Sequence, residues 1–360
     1  MTTQNLGVVK TALKASVTKF TLKNPTRCKP WLYLRNYCQQ SDRGYLPVIF
    51  DTPPSQLRLR RRFFSNLIGW LRRQPRKWGR TSLALGTIVA LIAIAIPARA
   101  LTVRLSPTTA QLGDTISVFV QQSPTVNSTP TVKLGQKTYP TFQTSSGYFR
   151  ALLPTTPLDK PGTLQIQVAA EGEVKNLSVP LRKRSFPVQS ITLSGAAGAE
   201  GTPQEFDRVD AFKSLETPEK YWKGAFLKPN QGPITSGYGI RRYYNGVFAE
   251  DYYHRGVDYA GSTGSPVVAP ASGKIALVGR LSQGFRIHGN VVGIDHGQGV
   301  ASIMLHLSRI DVKEGDFVQA GQRVGAVGST GAATGPHLHW GLYVHGISVD
   351  PVPWRNQGFE

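Results

Sequence analysis

Cysteine is almost missing from this chain: 360 residues hold only Cys28 and Cys38. No disulfide framework can therefore staple anything beyond residue 38, and the rest must be held by packing or by a metal. Methionine occurs only at positions 1 and 304, so no internal Met offers a second start near the apolar segment described below. Acidic residues are also scarce, with 21 Asp and Glu against 42 Lys and Arg and a formal net charge of +21. The imbalance is local. Residues 1–80 carry 17 Lys and Arg against Asp42 and Asp51, which leaves +6 for everything that follows. The basic character belongs to the leading tail and not to the folded body.

Charge of either sign is absent from Thr81 to Ala98, TSLALGTIVALIAIAIPA, directly after RRQPRKWGR. A helix of that length spans roughly 27 Å, close to the ~30 Å hydrocarbon core of a bilayer. The expectation is one transmembrane or signal helix over residues 81–100, contacting the membrane through 81–98. Cationic flanks stay in the cytoplasm, so residues 1–80 form a basic cytoplasmic tail and everything after residue 100 is exported. Ala98 and Ala100 also fit an A-x-A cleavage site before Leu101. The Arg-rich stretch 58–80 suits anionic lipid headgroups, and no nucleic-acid partner is expected. The two cysteines fall in the tail, where a disulfide would not persist.

Residues 101–185 consist of short alternating apolar segments, among them LTVRL, TISVFV, TVKL and TLQIQVAA, separated by turn-forming stretches such as QLGD and DKPG. That rhythm predicts a β-sandwich of immunoglobulin-like size acting as an accessory domain. Residues 186–225 begin small and flexible, then turn mixed in charge. They read as a connector with a short helix broken at Pro218. From Phe226 to residue 355 glycine is frequent and strands recur at PVVAPASG, GKIALVG, NVVGIDH, ASIMLHL, QRVGAVG and HLHWGLYV. This predicts a compact antiparallel β domain, with His296-Gly297 and His345-Gly346 as turn residues. The fold class expected overall is mainly β.

Three histidine-bearing segments fall in this last domain: HRGVD from His254 to Asp258, MLHLS around His306, and GPHLHW with His337 and His339. Residues two apart on a strand share a face, so His337 and His339 emerge side by side. His254 and Asp258 would lie roughly 13 Å apart on an extended chain, whereas zinc ligands sit about 2 Å from one ion. The chain must bend between them, and Gly256 offers the position for it. His254, Asp258 and one histidine of the H-x-H pair would leave a fourth coordination position open, which is the pattern of a catalytic zinc. Taken alone, H-x-H reads equally well as two surface histidines, and H-x-x-x-D reads better as an ordinary surface His and Asp in a turn.

The combination of H-x-x-x-D, H-L-S and G-P-H-L-H resembles the lysostaphin-type, or M23, family of peptidoglycan metallopeptidases. The flanking phrases GPITSGYGIRR, GNVVGIDHG and VKEGDFVQAGQRVGAVG are similar to that family too. The resemblance implies a Zn2+ ion held by His254, Asp258 and His339, with His306 and His337 as catalytic histidines. It implies peptide cross-links of bacterial peptidoglycan as substrate, and action in the cell envelope outside the cytoplasm. Two positions depart from the family's pattern: Met304, where relatives commonly have an aromatic residue, and His288, where Tyr is usual. Tyr252 and Tyr253 stand as candidate substrate or oxyanion contacts, and the loops 241–253 and 281–290 as cleft walls. An inert wall-binding or hydrolase-activating module is the competing reading, but such modules lack ligands that are all present here. An activating protein partner stays open. The phrase VKEGDFVQAGQRVGAVG also resembles lipoyl carriers, but it has no lysine displayed in a tight turn.

Overall fold

The structure is a computed structural model that describes residues 101–123, 128–192 and 200–359. The tail 1–80 and the apolar segment 81–100 lie outside the described residues. Among the described residues, no helix is long and apolar enough to cross a membrane.

Mainly β structure is observed throughout. The first body has two sheets. One joins Thr102–Ser106, Thr115–Gln121, Tyr148–Pro154 and Phe142–Gln143; the other joins Ala110–Gln111, Glu173–Arg182, Gly162–Ala170, Thr131–Leu134 and Lys137–Tyr139. Alternating side chains from both sheets, including Ile116, Val118, Val132, Leu153, Val168 and Val179, fill one common core. Period-two alternation places these residues inside, as expected for sheets with one solvated face.

The second body is built on one long sheet. In its order, Ile234–Ser236, Val257–Ala260, His337–Val344, Val300–Leu305, Val291–Gly297, Gly273–Gly279 and Phe317–Val318 lie side by side. The three middle strands are buried almost from end to end, which explains their near-continuous apolar composition. A smaller sheet of Pro266–Val268, Arg323–Ala326 and Arg309–Ile310 closes the core around Val267, Val324, Val327 and Trp340.

The two bodies are fastened at named points. Arg150, buried on the first body, lies 5.0 Å over the Trp222 ring and donates to Phe359 O at 3.4 Å and to Gln298 Oε1 at 2.5 Å. Trp354 Nε1 donates to Thr115 Oγ1 at 3.2 Å, and Arg184 pairs with Asp350 at 2.7 Å.

The connector helix runs from Pro203 to Lys213 and stops there, short of the break expected at Pro218. Its end is set locally: Ser214 bonds back to Asp210 O through both its backbone N–H and its hydroxyl. Its start is a capping box between Thr202 and Glu205 with Pro203 at the first position. Val209 and Phe212, spaced three apart, pack with Leu277, Val291, Ile303 and Tyr343 of the long sheet and with Phe285 of the loop beside it, while Phe206 lies edge-on to His288. Ahead of the helix, Val188–Ile191 pairs in parallel with Arg241–Tyr244. The connector is thus hydrogen-bonded and packed into the second body at two separate places.

Candidate metal centre

Strand register assembles the cluster. Asp258 lies opposite His339 across one antiparallel pair, and Leu305 lies opposite His339 across the next. His306 follows directly and leaves its strand with φ +64, a left-handed conformation uncommon for a residue with a Cβ. His254 is held from a third direction, where its backbone exchanges hydrogen bonds with the loop at Gly239 and Ile240.

Three ligand-type atoms meet. His254 Nε2 is 3.0 Å from Asp258 Oδ1 and 3.0 Å from His339 Nδ1, and His339 Nδ1 is 2.9 Å from Asp258 Oδ1. Among the described residues this is the cluster of His, Cys, Asp and Glu with metal-ligand spacing. His254 Nδ1 lies 2.7 Å from Gly237 O and donates to it, so a neutral His254 presents the Nε2 lone pair inward. Ligands about 2.0–2.1 Å from a tetrahedral ion stand roughly 3.3–3.4 Å apart. The observed separations fall only a few tenths of an ångström short, and one cation at their centre would relieve the repulsion among three converging acceptors. The donor set, two imidazoles and one carboxylate, suits zinc.

The electrostatics keep the ligands in binding form. Burial alone would raise the Asp258 pKa, but the charges and hydrogen bonds of His254 and His339 outweigh it and hold the carboxyl well below its usual range. Burial depresses His339 to about 4, and it depresses His306 to about 3 with help from His337 and His339. His306 and His337 face each other with ring centroids 4.9 Å apart, and His306 lies 6.3 Å from His339. Each donates through Nδ1 to a backbone carbonyl at 2.8 Å, Thr330 O for His306 and Gly335 O for His337. Both therefore keep Nε2 for chemistry. The structure brings together all five residues singled out in the sequence.

The sequence profile of peptidase family M23 matches residues 252–351, the span that holds all five. Residues 252–351 thus form a domain of the M23 type. Over 99 residues it is 44% identical to the DD-carboxypeptidase/endopeptidase Mpg of Neisseria meningitidis, covering 28% of this chain and 22% of that protein. Over 123 residues it is 41% identical to lysostaphin of Staphylococcus staphylolyticus, covering 33% of this chain and 25% of that protein. The chain thus spans a quarter or less of the length of these relatives. A Pseudomonas aeruginosa crystal structure classed as a peptidase M23 is similar over 70% of this chain and 96% of its own, with 26% identity and a TM-score of 0.51.

Within the M23 domain several secondary expectations change. The chain bends at Gly256 as expected, though without a positive φ; glycine is needed there for close approach, since a Cβ would lie 2.3 Å from Trp340 O and 2.7 Å from His339 Nε2. Met304 is wholly buried in the core opposite Trp340 and does not face a cleft. Tyr253 is also a core residue, its hydroxyl 3.4 Å from Ser348 O. Tyr252 packs edge-on to Tyr244, beside Arg242. His296 is not a turn residue. It is fully buried on Val291–Gly297, donating through Nδ1 to Ser272 O at 2.9 Å and accepting from Ser302 Oγ through Nε2 at 2.9 Å. The turn itself is made by Gln298 and Gly299, both with positive φ.

Three contributors escaped the sequence reading. Arg242 Nη2 lies 3.8 Å from Asp258 Oδ2, and the Gly237 and Thr330 carbonyls fix two imidazoles. Backbone carbonyls carry no residue signature, and an Arg on a short strand gives no hint of a partner sixteen positions on.

Proposed function

We propose that the M23 domain is a zinc-dependent endopeptidase that hydrolyses peptide cross-links of bacterial peptidoglycan. His254 Nε2, Asp258 Oδ1 and His339 Nδ1 hold the ion. The observation that carries this reading is the convergence of those three atoms beside a second pair of histidines, with His337 Nε2 4.0 Å from Asp258 Oδ1. The peptidoglycan DD-endopeptidase ShyA of Vibrio cholerae, to which the chain is 41% identical over 99 residues, supports the choice of substrate. Zinc at that position supplies a Lewis acid that polarises a carbonyl and brings the pKa of water near 7.

The chain's own residues do the rest. His306 and His337, whose Nδ1–H groups are tied to carbonyls, offer Nε2 to take a proton from the attacking water. Once one ring of the pair has taken that proton, its Nε2–H can donate to the developing oxyanion and pass the proton on to the leaving amine. The Thr330 and Gly335 carbonyls hold the two rings in the tautomer that leaves Nε2 inward. Asp258, ionised throughout, keeps the ligand set anionic enough to retain a divalent cation.

The division into a sandwich at 101–185 of immunoglobulin-like type, a connector at 186–225 and a peptidase domain at 226–355 belongs to the same proposal. So does placement outside the cytoplasm, either anchored or exported through residues 81–100.

The test is metal content and wall digestion by the purified chain. About one zinc per chain and release of peptide amines from purified peptidoglycan support the reading. Bound zinc with no amine release would remove the endopeptidase assignment.

A further inference from the structure

Glu205 stands on the connector helix, outside the residues that match the M23 family, yet its carboxylate is fully buried against the loop 285–290, which hydrogen-bonds to the backbone of His306. Its contacts say what it serves. As half of a capping box it accepts from Thr202 N at 3.4 Å, the longest of its bonds. Its shorter bonds all go to the loop: Arg286 N at 2.9 Å, Ile287 N at 3.0 Å, His288 N at 2.7 Å and His288 Nδ1 at 2.7 Å. Three successive backbone N–H groups aimed at one point form an anion cradle, and here the anion is a side chain of the connector.

The cradle leads directly to the site. His288 O accepts the backbone N–H of His306 at 3.1 Å, and Asn290 O accepts that of Leu307 at 3.0 Å. His306 holds its left-handed backbone between these bonds and the contact of its Nδ1 with Thr330 O. Such a conformation persists only where the surroundings over-determine it. Without an acceptor at position 205, three part-buried N–H groups and one imidazole N–H lose their partner, and the loop has no reason to keep its path.

We propose that Glu205 is a positioning residue for catalysis: the connector inserts it as the fixed anion that shapes residues 286–288 and, through the His288 carbonyl, sets the backbone of His306. The inference rests on the peptidase reading for its kinetic consequence and on geometry alone for its structural one. The peptidase domain then borrows an essential part of its active-site wall from the connector, and a displaced connector would lower turnover with the zinc ligands untouched.

The experiment compares full-length parent with Glu205→Ala, Glu205→Gln and the control Asp207→Ala, an exposed position on the same helix. Zinc content, turnover at saturating peptidoglycan, half-saturating peptidoglycan concentration and amide exchange of residues 285–290 are measured for each. The expected result for Glu205→Ala is parental zinc content, at least a tenfold loss of turnover, a half-saturation within threefold of parent, and faster exchange at 286–288. Glu205→Gln, which keeps one acceptor oxygen, falls between, and Asp207→Ala matches the parent. Added formate, small enough for the vacated cradle, restores several-fold of the lost turnover in Glu205→Ala, a rescue that loss of helix packing would not show. If Glu205→Ala fails to fold, Glu205→Gln carries the comparison. Parental turnover or parental exchange at 286–288 in folded, zinc-loaded variants would overturn the proposal. A parent that binds zinc but releases no amines would instead sink the peptidase reading, with the exchange measurement still deciding whether Glu205 pins the loop.

Discussion

Asp258 and His339 face each other across one antiparallel strand pair, and their side chains meet with Oδ1 2.9 Å from Nδ1. Direct opposition brings Cβ atoms within about 5 Å, so two short side chains can share one ion with no loop required to carry them. His254 completes the set from a neighbouring loop, and Arg242 approaches the far oxygen of Asp258 at 3.8 Å.

Removing a ligand should therefore abolish the metal site. Asp258→Ala and His339→Ala are expected to lose zinc affinity by more than the roughly 10–100-fold typical of outer-shell partners. Metal analysis after gel filtration checks this, and full occupancy in either variant would contradict it.

The other two histidines should separate binding from chemistry. His306→Ala and His337→Ala are expected to keep about one zinc and to lose roughly 10²–10⁴ in turnover, the usual range for a positioned acid or base. Loss of zinc from either would place it among the ligands.

Gly256 should be intolerant of any side chain. A Cβ would press on the Trp340 carbonyl, which is backbone and cannot swing away. Gly256→Ala is expected to cost about 1–3 kcal/mol of stability by overpacking and to weaken zinc binding, read by denaturant titration and metal analysis.

Acid sensitivity should trace in part to His296, whose pKa burial lowers to about 4 from the ordinary value near 6.5. The unfolded chain takes up this proton first, so the contribution is complete above about pH 6.5 and is lost as pH falls toward 4. The span corresponds to about 3 kcal/mol at most. Denaturant unfolding of the parent across pH 4–7 should show falling stability toward acid, and His296→Gln, which cannot be protonated, should show a shallower slope.

Much of the site was legible in the sequence, because the metal and catalytic residues sit in short segments whose spacing obeys strand geometry. His337 and His339 share a face by the period of two alone. The mainly β character likewise followed from alternation in stretches such as TISVFV and TLQIQVAA. Local reasoning failed where the partner is remote. His296 read as a turn residue because Gly297 follows it, but burial against Ser272 and Ser302 is a property of the folded sheet. The bend at Gly256 was legible, but not that the strand passing beside it leaves no room for a Cβ.

The sequence by itself determined which residues can bind a metal, where the strands run and where charge is concentrated, since composition and period are local quantities. Only the tertiary structure decided how His254 reaches Asp258, why His306 is neutral, and that Glu205 of the connector holds the loop beside it. Those outcomes depend on burial and on backbone groups brought together from 80 and more positions away, and neither is written in any one segment.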